Sequence, residues 1–249
     1  MLILKEVSKK FKNEKGIFNI SFSFSMDKIV GLIGDNGAGK TTIIKTILGD
    51  YKKDSGEISL LGNSENYKKD ITYFPDQNNF PKNSNIIDYC LYTQSLKGQN
   101  YKKDDPKILE LVGILGLKDY LNSSFQKLSS GMQKRALLLS LILSKPKLII
   151  LDEPTENLDI KSRTEFLKLI EFISKEYKVG IMITSHNIDE IENIINYVIV
   201  VKSGKVVHVG DFDKTNSNLK ELYFKSIGTE NEVLDFERLR EFKKNENNS

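Results

Sequence analysis

A chain of 249 residues with 39% hydrophobic side chains is long enough to bury the core of one large α/β domain or two small ones, which excludes disorder as its main state. Its 37 basic and 34 acidic residues cancel to +3, so bulk charge gives no support for nucleic-acid binding, and no nucleic-acid partner is expected. The single cysteine, Cys90, excludes an intramolecular disulfide framework and a thiolate zinc site, and beside Tyr89 and Leu91 it reads as a packing residue.

In chain order, the opening MLILKEVSKKF puts its apolar residues before its lysines and lacks a long apolar core, so it is not expected to act as a secretory leader. Leu2, Leu4 and Val7, then Phe18, Ile20, Phe22 and Phe24, alternate with polar residues, the period of half-buried antiparallel strands. Ile29 to Ile33 is a short, continuous apolar run, as are Leu148 to Leu151 and Ile181 to Ile183, and each predicts a strand buried on both faces of a parallel sheet. Helical spacing marks Thr41 to Leu48, Ile108 to Leu115, Met132 to Leu143 and Arg163 to Tyr177. EISLL at 57–61 predicts a further antiparallel strand.

From Lys82 to Lys127 the chain turns polar and helical, punctuated by Gly98 and Pro106, and predicts a helical insert over about 82–145. His208 lies in the alternating run KVVHVG and reads as a plain strand residue, and the polar end of the chain, 226–249, is expected to fray. No run approaches the ~18 apolar residues of a membrane helix, so the chain is expected not to cross a membrane by itself. The alternation of strands and helices predicts an α/β fold with a mostly parallel sheet, an N-terminal antiparallel β subdomain and an inserted helical subdomain.

The strongest chemical signal is Gly34-Asp35-Asn36-Gly37-Ala38-Gly39-Lys40-Thr41, which fits G-x-x-x-x-G-K-[ST] between a strand and a helix and predicts a P-loop. Its glycines allow successive N–H groups to face one point, Lys40 supplies a cation for phosphates, and the Thr41 hydroxyl is a ligand for Mg²⁺. A dinucleotide-binding loop is disfavoured because Thr42 stands where the third glycine of G-x-G-x-x-G would fall. Asp152 and Glu153 end a buried strand, where two carboxylates are costly to desolvate without a positive partner. Strand alternation predicts that they point to opposite sides, Asp152 toward a metal and Glu153 toward an attacking water as general base. Taken alone, the pair could simply open the following loop. Ser130-x-x-Gln133 reads locally as a capping box, at a helix start that also offers an anion site.

The order P-loop, LSSGMQKR, LIILDEP, ENLD and TSH closely resembles the ATP-binding subunit of ABC transporters, over about Leu2 to Gly210. The resemblance implies a P-loop NTPase core, an ABC ATPase domain over 1–225, ATP and Mg²⁺, and hydrolysis coupled to transport. It implies that Leu128, Ser129, Ser130, Gly131 and Met132 form the signature segment, with Ser130 where glycine is usual, approaching the ATP of a second cassette. It also implies Asp159 at the dimer seam and His186 at the γ-phosphate beside Glu153. Thr42 joins the nucleotide-binding set, and Phe11 stacks on adenine unless it is a core-facing strand residue. Thr41, Asp152 and Gln77 are the implied metal set, although Asp76 follows Pro75 where the family usually has Gln, so either Asp76 or Gln77 takes that role.

The implied partners are a second ABC cassette, for which an identical chain is self-consistent and a different one is left open, and an integral membrane subunit. The insert, with Phe80, Tyr89 and Leu91 near its start, would be the docking surface at the cytoplasmic face of the cell membrane. The short chain after His186 resembles ATPases paired with exporters. The competing class is a non-transport ABC ATPase such as an iron-sulfur assembly factor. A DNA-repair type would need a coiled coil for which the P-loop-to-signature interval has no room, and a translation type would need a second P-loop.

Overall fold

The structure, a computed structural model, describes residues 1–74, 81–185 and 187–228. Strands β1 (Leu2–Lys10), β2 (Gly16–Phe24) and β3 (Ile29–Ile33) are followed by helix α1 (Lys40–Leu48), β4 (Ser55–Leu60) and β5 (Ile71–Phe74). Helices α2 (Ile86–Leu96), α3 (Pro106–Ile114) and α4 (Ser130–Leu143) come next, then β6 (Leu148–Leu151), α5 (Ile160–Tyr177) and β7 (Gly180–Thr184). A short α6 (Ile188–Ile191), β8 (Tyr197–Lys202), β9 (Lys205–Asp211) and α7 (Leu219–Ile227) complete the described chain.

The strands form two sheets, β2-β1-β4 and β5-β6-β7-β3-β8-β9. The first is antiparallel. The second is parallel except for β9, which returns antiparallel beside β8. The continuous apolar runs have a simple cause, since each central strand of the second sheet is covered on both faces. Val30, Leu32, Ile150 and Met182 face a core shared with the antiparallel sheet and α1. Their neighbours Ile29, Ile33, Ile149, Leu151, Ile181 and Ile183 face the helices α4 and α5. Ile86, Ile87, Cys90, Ile108 and Phe125 extend that second core into the helical insert. Cys90 is fully buried, and desolvation pushes its thiol up to about 12, in keeping with a packing role.

Three sequence expectations shift in detail. Phe18 is not in the buried set; Ile17 takes its place, because the β1–β2 register slips between Val7 and Lys9 and Asn19 adopts φ 50°, which reverses the alternation. The strand expected to end at Leu61 stops at Leu60, where Leu61 turns out at φ 53° and is 54% exposed. The cap of α4 is Ser129, whose extended backbone precedes the helix and whose hydroxyl accepts from the Met132 N–H at 3.4 Å. The expected capping box at Ser130 does not form, because the Gln133 side chain donates instead to the carbonyls of Phe125 (2.9 Å) and Leu128 (3.1 Å).

Candidate functional site

The carboxyl ends of β3 and β6 lie on one edge of the sheet, because both strands pair parallel with β7 between them. The loop after β3 enters α1 through Gly39, which sits at φ 114° in the cap position, and no side chain caps the helix. The first N–H groups of α1 are thus left for a ligand, at the positive end of the helix dipole. Lys40 is 8% exposed and folds back over its own loop, donating to the carbonyls of Gly34 (2.6 Å) and Asp35 (3.3 Å). The loop is braced from below by the turn between β8 and β9, where the Gly204 N–H donates to the Ala38 carbonyl at 2.7 Å.

Above the loop is a cavity of about 370 Å³, walled on one side by Asp35, Asn36, Gly37, Gly39, Lys40, Thr41 and Thr42, and on the other by Asp152, Glu153 and Glu156. The two acids do not diverge as strand alternation predicts. β6 ends at Leu151 and Glu153 turns at φ 47°, so both carboxylate residues line the same cavity. Thr184, the last residue of β7 and fully buried, ties them together. Its hydroxyl donates to Asp152 Oδ1 at 2.6 Å and accepts from the Glu153 N–H at 3.0 Å. A polar residue at the end of an apolar strand was the available sequence signal for it.

The segment after Glu153 is held from three elements. Lys134 of α4 donates to the Pro154 carbonyl, and Arg163 of α5 donates to the Leu158 carbonyl at 3.2 Å. The Glu190 carboxylate in α6 takes the Thr155 hydroxyl at 2.7 Å, the Asn187 amide at 2.8 Å and the Arg163 guanidinium at 2.6 Å. Local sequence patterns give no sign of Lys134, Arg163 or Glu190 at this site, because their partners are brought there by the fold.

Asp159 caps α5, accepting from the Ser162 N–H (2.9 Å) and hydroxyl (2.7 Å), and these bonds hold its carboxyl below the usual carboxylate range. The first turns of α4 and α5 touch, since a Cβ on Gly131 would lie 3.2 Å from Ser162 Oγ. Within one chain, none of Leu128 to Met132 lines the cavity over the P-loop. Ser129 and Gly131 line a separate hollow of about 170 Å³ with Ile114, Leu158 and Phe166, while Leu128 is buried and Met132 packs on the core. Phe11 is not core-facing: it follows β1 in a turn, half-buried, with its ring edge-on to Tyr51 at 5.2 Å, and it does not line the cavity. Asp76, Gln77, Phe80 and His186 lie outside the described residues.

A metal held by protein groups alone has no support, since no three clustered His, Cys, Asp or Glu side chains form a cage among the described residues. The donors present, the Thr41 hydroxyl and the Asp152 carboxylate lining the same cavity as Lys40, instead suit a hard cation that shares its coordination with phosphate oxygens and water.

A family model described as "ABC transporter" matches residues 17–156. The chain is 38% identical over 182 residues to the zinc import ATP-binding protein ZnuC of Rickettsia bellii, covering 73% of this chain and 74% of that protein. It is 30% identical over 213 residues to the bacitracin transport ATP-binding protein BcrA of Bacillus licheniformis, covering 84% and 69%. A solved structure described as the ATP binding subunit of an ABC transporter superposes with a TM-score of 0.79 at 23% identity, covering 91% of this chain and 99% of that one.

Proposed function

Because the chain belongs to the ABC transporter family and is an ATP-binding ATPase cassette of that family, we propose that it forms an ATPase domain over 1–225 in which the loop Gly34 to Thr42 holds the triphosphate and Glu153 is the general base. The observation that supports this most directly is the single cavity shared by the P-loop and the Asp152–Glu153 pair. Lys40 and the free N–H groups of α1 bind and orient the β and γ phosphates. Glu153 accepts the proton of a water as its oxygen bonds to the γ-phosphorus and the bond to the bridging oxygen of ADP breaks. Thr184 keeps the Glu153 backbone and the Asp152 carboxylate fixed during that step. Mg²⁺ held by the Thr41 hydroxyl and Asp152, with Gln77 as the further implied ligand, supplies charge neutralisation at the phosphate oxygens when bound.

The signature residues Ser129, Ser130 and Gly131 serve the ATP of a second cassette, with Asp159 at the seam, Phe11 toward adenine and His186 at the γ-phosphate. The helical insert docks an integral membrane subunit and so brings the cassette to the cytoplasmic face of the membrane. Among the described residues no helix is long and apolar enough to cross a membrane. The direction of transport belongs to the membrane subunit, since proteins named for zinc import and for bacitracin transport match this cassette alike.

The test is Glu153→Gln in the purified chain. ATP binding, read by equilibrium dialysis, is expected to persist while turnover falls ~10² to 10⁴-fold, the usual worth of a general base. An unchanged turnover removes Glu153 from the role.

A further inference from the structure

The last described helix reaches the nucleotide site. Tyr223 of α7 is 6% exposed, and its phenolic hydroxyl donates to Asp35 Oδ1 at 2.5 Å. Asp35 is the second residue of the P-loop and lines the cavity above it. Both residues lie far apart in the chain, and Tyr223 falls outside the span 17–156 matched by the family model. α7 is firmly seated, so Tyr223 is presented from a fixed support. Its Leu219 N–H donates to Glu192 at 2.8 Å, Lys220 pairs with Asp189 at 2.7 Å, and Lys202 of β8 donates to the Ile227 carbonyl at its end.

A carboxylate at the mouth of a site for a triphosphate is a like charge, and it opposes binding more strongly the closer it swings to the phosphates. The phenol is a neutral donor at physiological pH, its ionisation pushed up to about 12 by burial and by Asp35 itself. A ring filling the core here needs no hydroxyl; the hydroxyl buries a polar group whose bond goes to the P-loop acid.

We propose that Tyr223 is a positioning residue of the nucleotide site, which holds the Asp35 carboxylate toward α7 and away from the phosphates, so that ATP affinity depends on α7. This rests on the P-loop reading given above, and Lys40→Ala separates the two: if that change leaves ATP affinity intact, the P-loop reading itself fails.

The experiment compares Tyr223→Phe, which keeps the ring, with the wild-type chain, each with Asp35 and with Asp35→Asn. Dissociation constants are measured by calorimetry for ATP, ADP and adenosine at low and high salt, after circular dichroism has shown that each variant is folded. Tyr223→Phe is expected to weaken ATP by about 5-fold or more, as befits a like charge released near the phosphates. ADP should lose less, adenosine nothing, and the loss should shrink at high salt and in the Asp35→Asn background. The proposal is overturned by an unchanged ATP affinity, by an equal loss for all three ligands, or by the same loss when Asp35 is replaced. Should Tyr223→Phe fail to fold, Asp35→Asn alone decides: with the carboxylate already held off the phosphates, ATP affinity should stay within about 2-fold of wild type, and a gain of about 5-fold or more at low salt that shrinks at high salt overturns the proposal.

Discussion

Lys134 carries a cation into a place where water does not reach. It is 4% exposed, and its ammonium donates to the Pro154 carbonyl, next to Glu153. Desolvation lowers its pKa from 10.5 to about 8, with the charge of Glu156 opposing the shift. In the unfolded chain the amine titrates near its ordinary value, so between about pH 8 and 10.5 the unfolded state binds more protons than the folded one. Stability from this group therefore rises with pH through that window. Lys134→Met lacks the titration, and the difference in urea midpoint should move in favour of wild type from pH 8 to pH 10. A difference that stays flat contradicts the shift. Lys134 also marks the limit of reading single residues from sequence. Lys40, Asp152 and Glu153 were legible because each sits in a short pattern whose spacing fixes its chemistry. Lys134, Glu190 and Tyr223 were not, and Thr184 was marked only as a polar end to an apolar strand, because their partners lie in other elements and only packing brings them within hydrogen-bond reach.

At the scale of elements, the β8–β9 turn is a support for the P-loop. Gly204 sits at φ 75°, its N–H donates to Ala38 at 2.7 Å and its carbonyl accepts from the Phe18 N–H at 2.8 Å. An added Cβ would stand 2.2 Å from the Gly16 carbonyl oxygen. Gly204→Ala therefore combines a left-handed backbone with a clash and should cost about 2–4 kcal/mol in denaturant-unfolding stability. It should also weaken ATP binding, because the turn cannot move without releasing Ala38. Wild-type stability and affinity in that variant would mean that the turn is not a support. Among the elements, the central strands were legible from unbroken apolar runs, since a strand covered on both faces has no polar side to show. Alternation misled at Phe18 because a bulge changes phase without a marker in composition. It misled again at Asp152 and Glu153 because the strand ends one residue before the pair.

At the scale of the whole molecule, the signature residues open on a different hollow from the P-loop cavity, so a single chain carries two separated half-sites under the proposed function. A mixing experiment follows from this geometry. Lys40→Ala damages only the P-loop half. Ser130→Glu damages only the signature half, and an acid in the first turn of α4 is favourable to the helix. Each variant alone should be nearly inactive. An equal mixture that exchanges chains freely should recover about a quarter of the wild-type ATPase rate, because half of its dimers hold one intact site of two. No recovery, with both variants folded, would count against sites shared between chains.

The family and its ATPase class were readable from the order of the motifs alone. Motif spacing survives any detail of packing, and buried parallel strands announce themselves through uninterrupted Ile, Leu and Val. Only the tertiary structure decided which groups act together. It placed Asp152 and Glu153 in one cavity with Lys40, made Ser129 the helix cap, and set Tyr223 against Asp35. The physical reason is that a hydrogen bond between distant residues depends on relative position to within a few tenths of an ångström, and that position is set by the shared cores on both faces of the sheet.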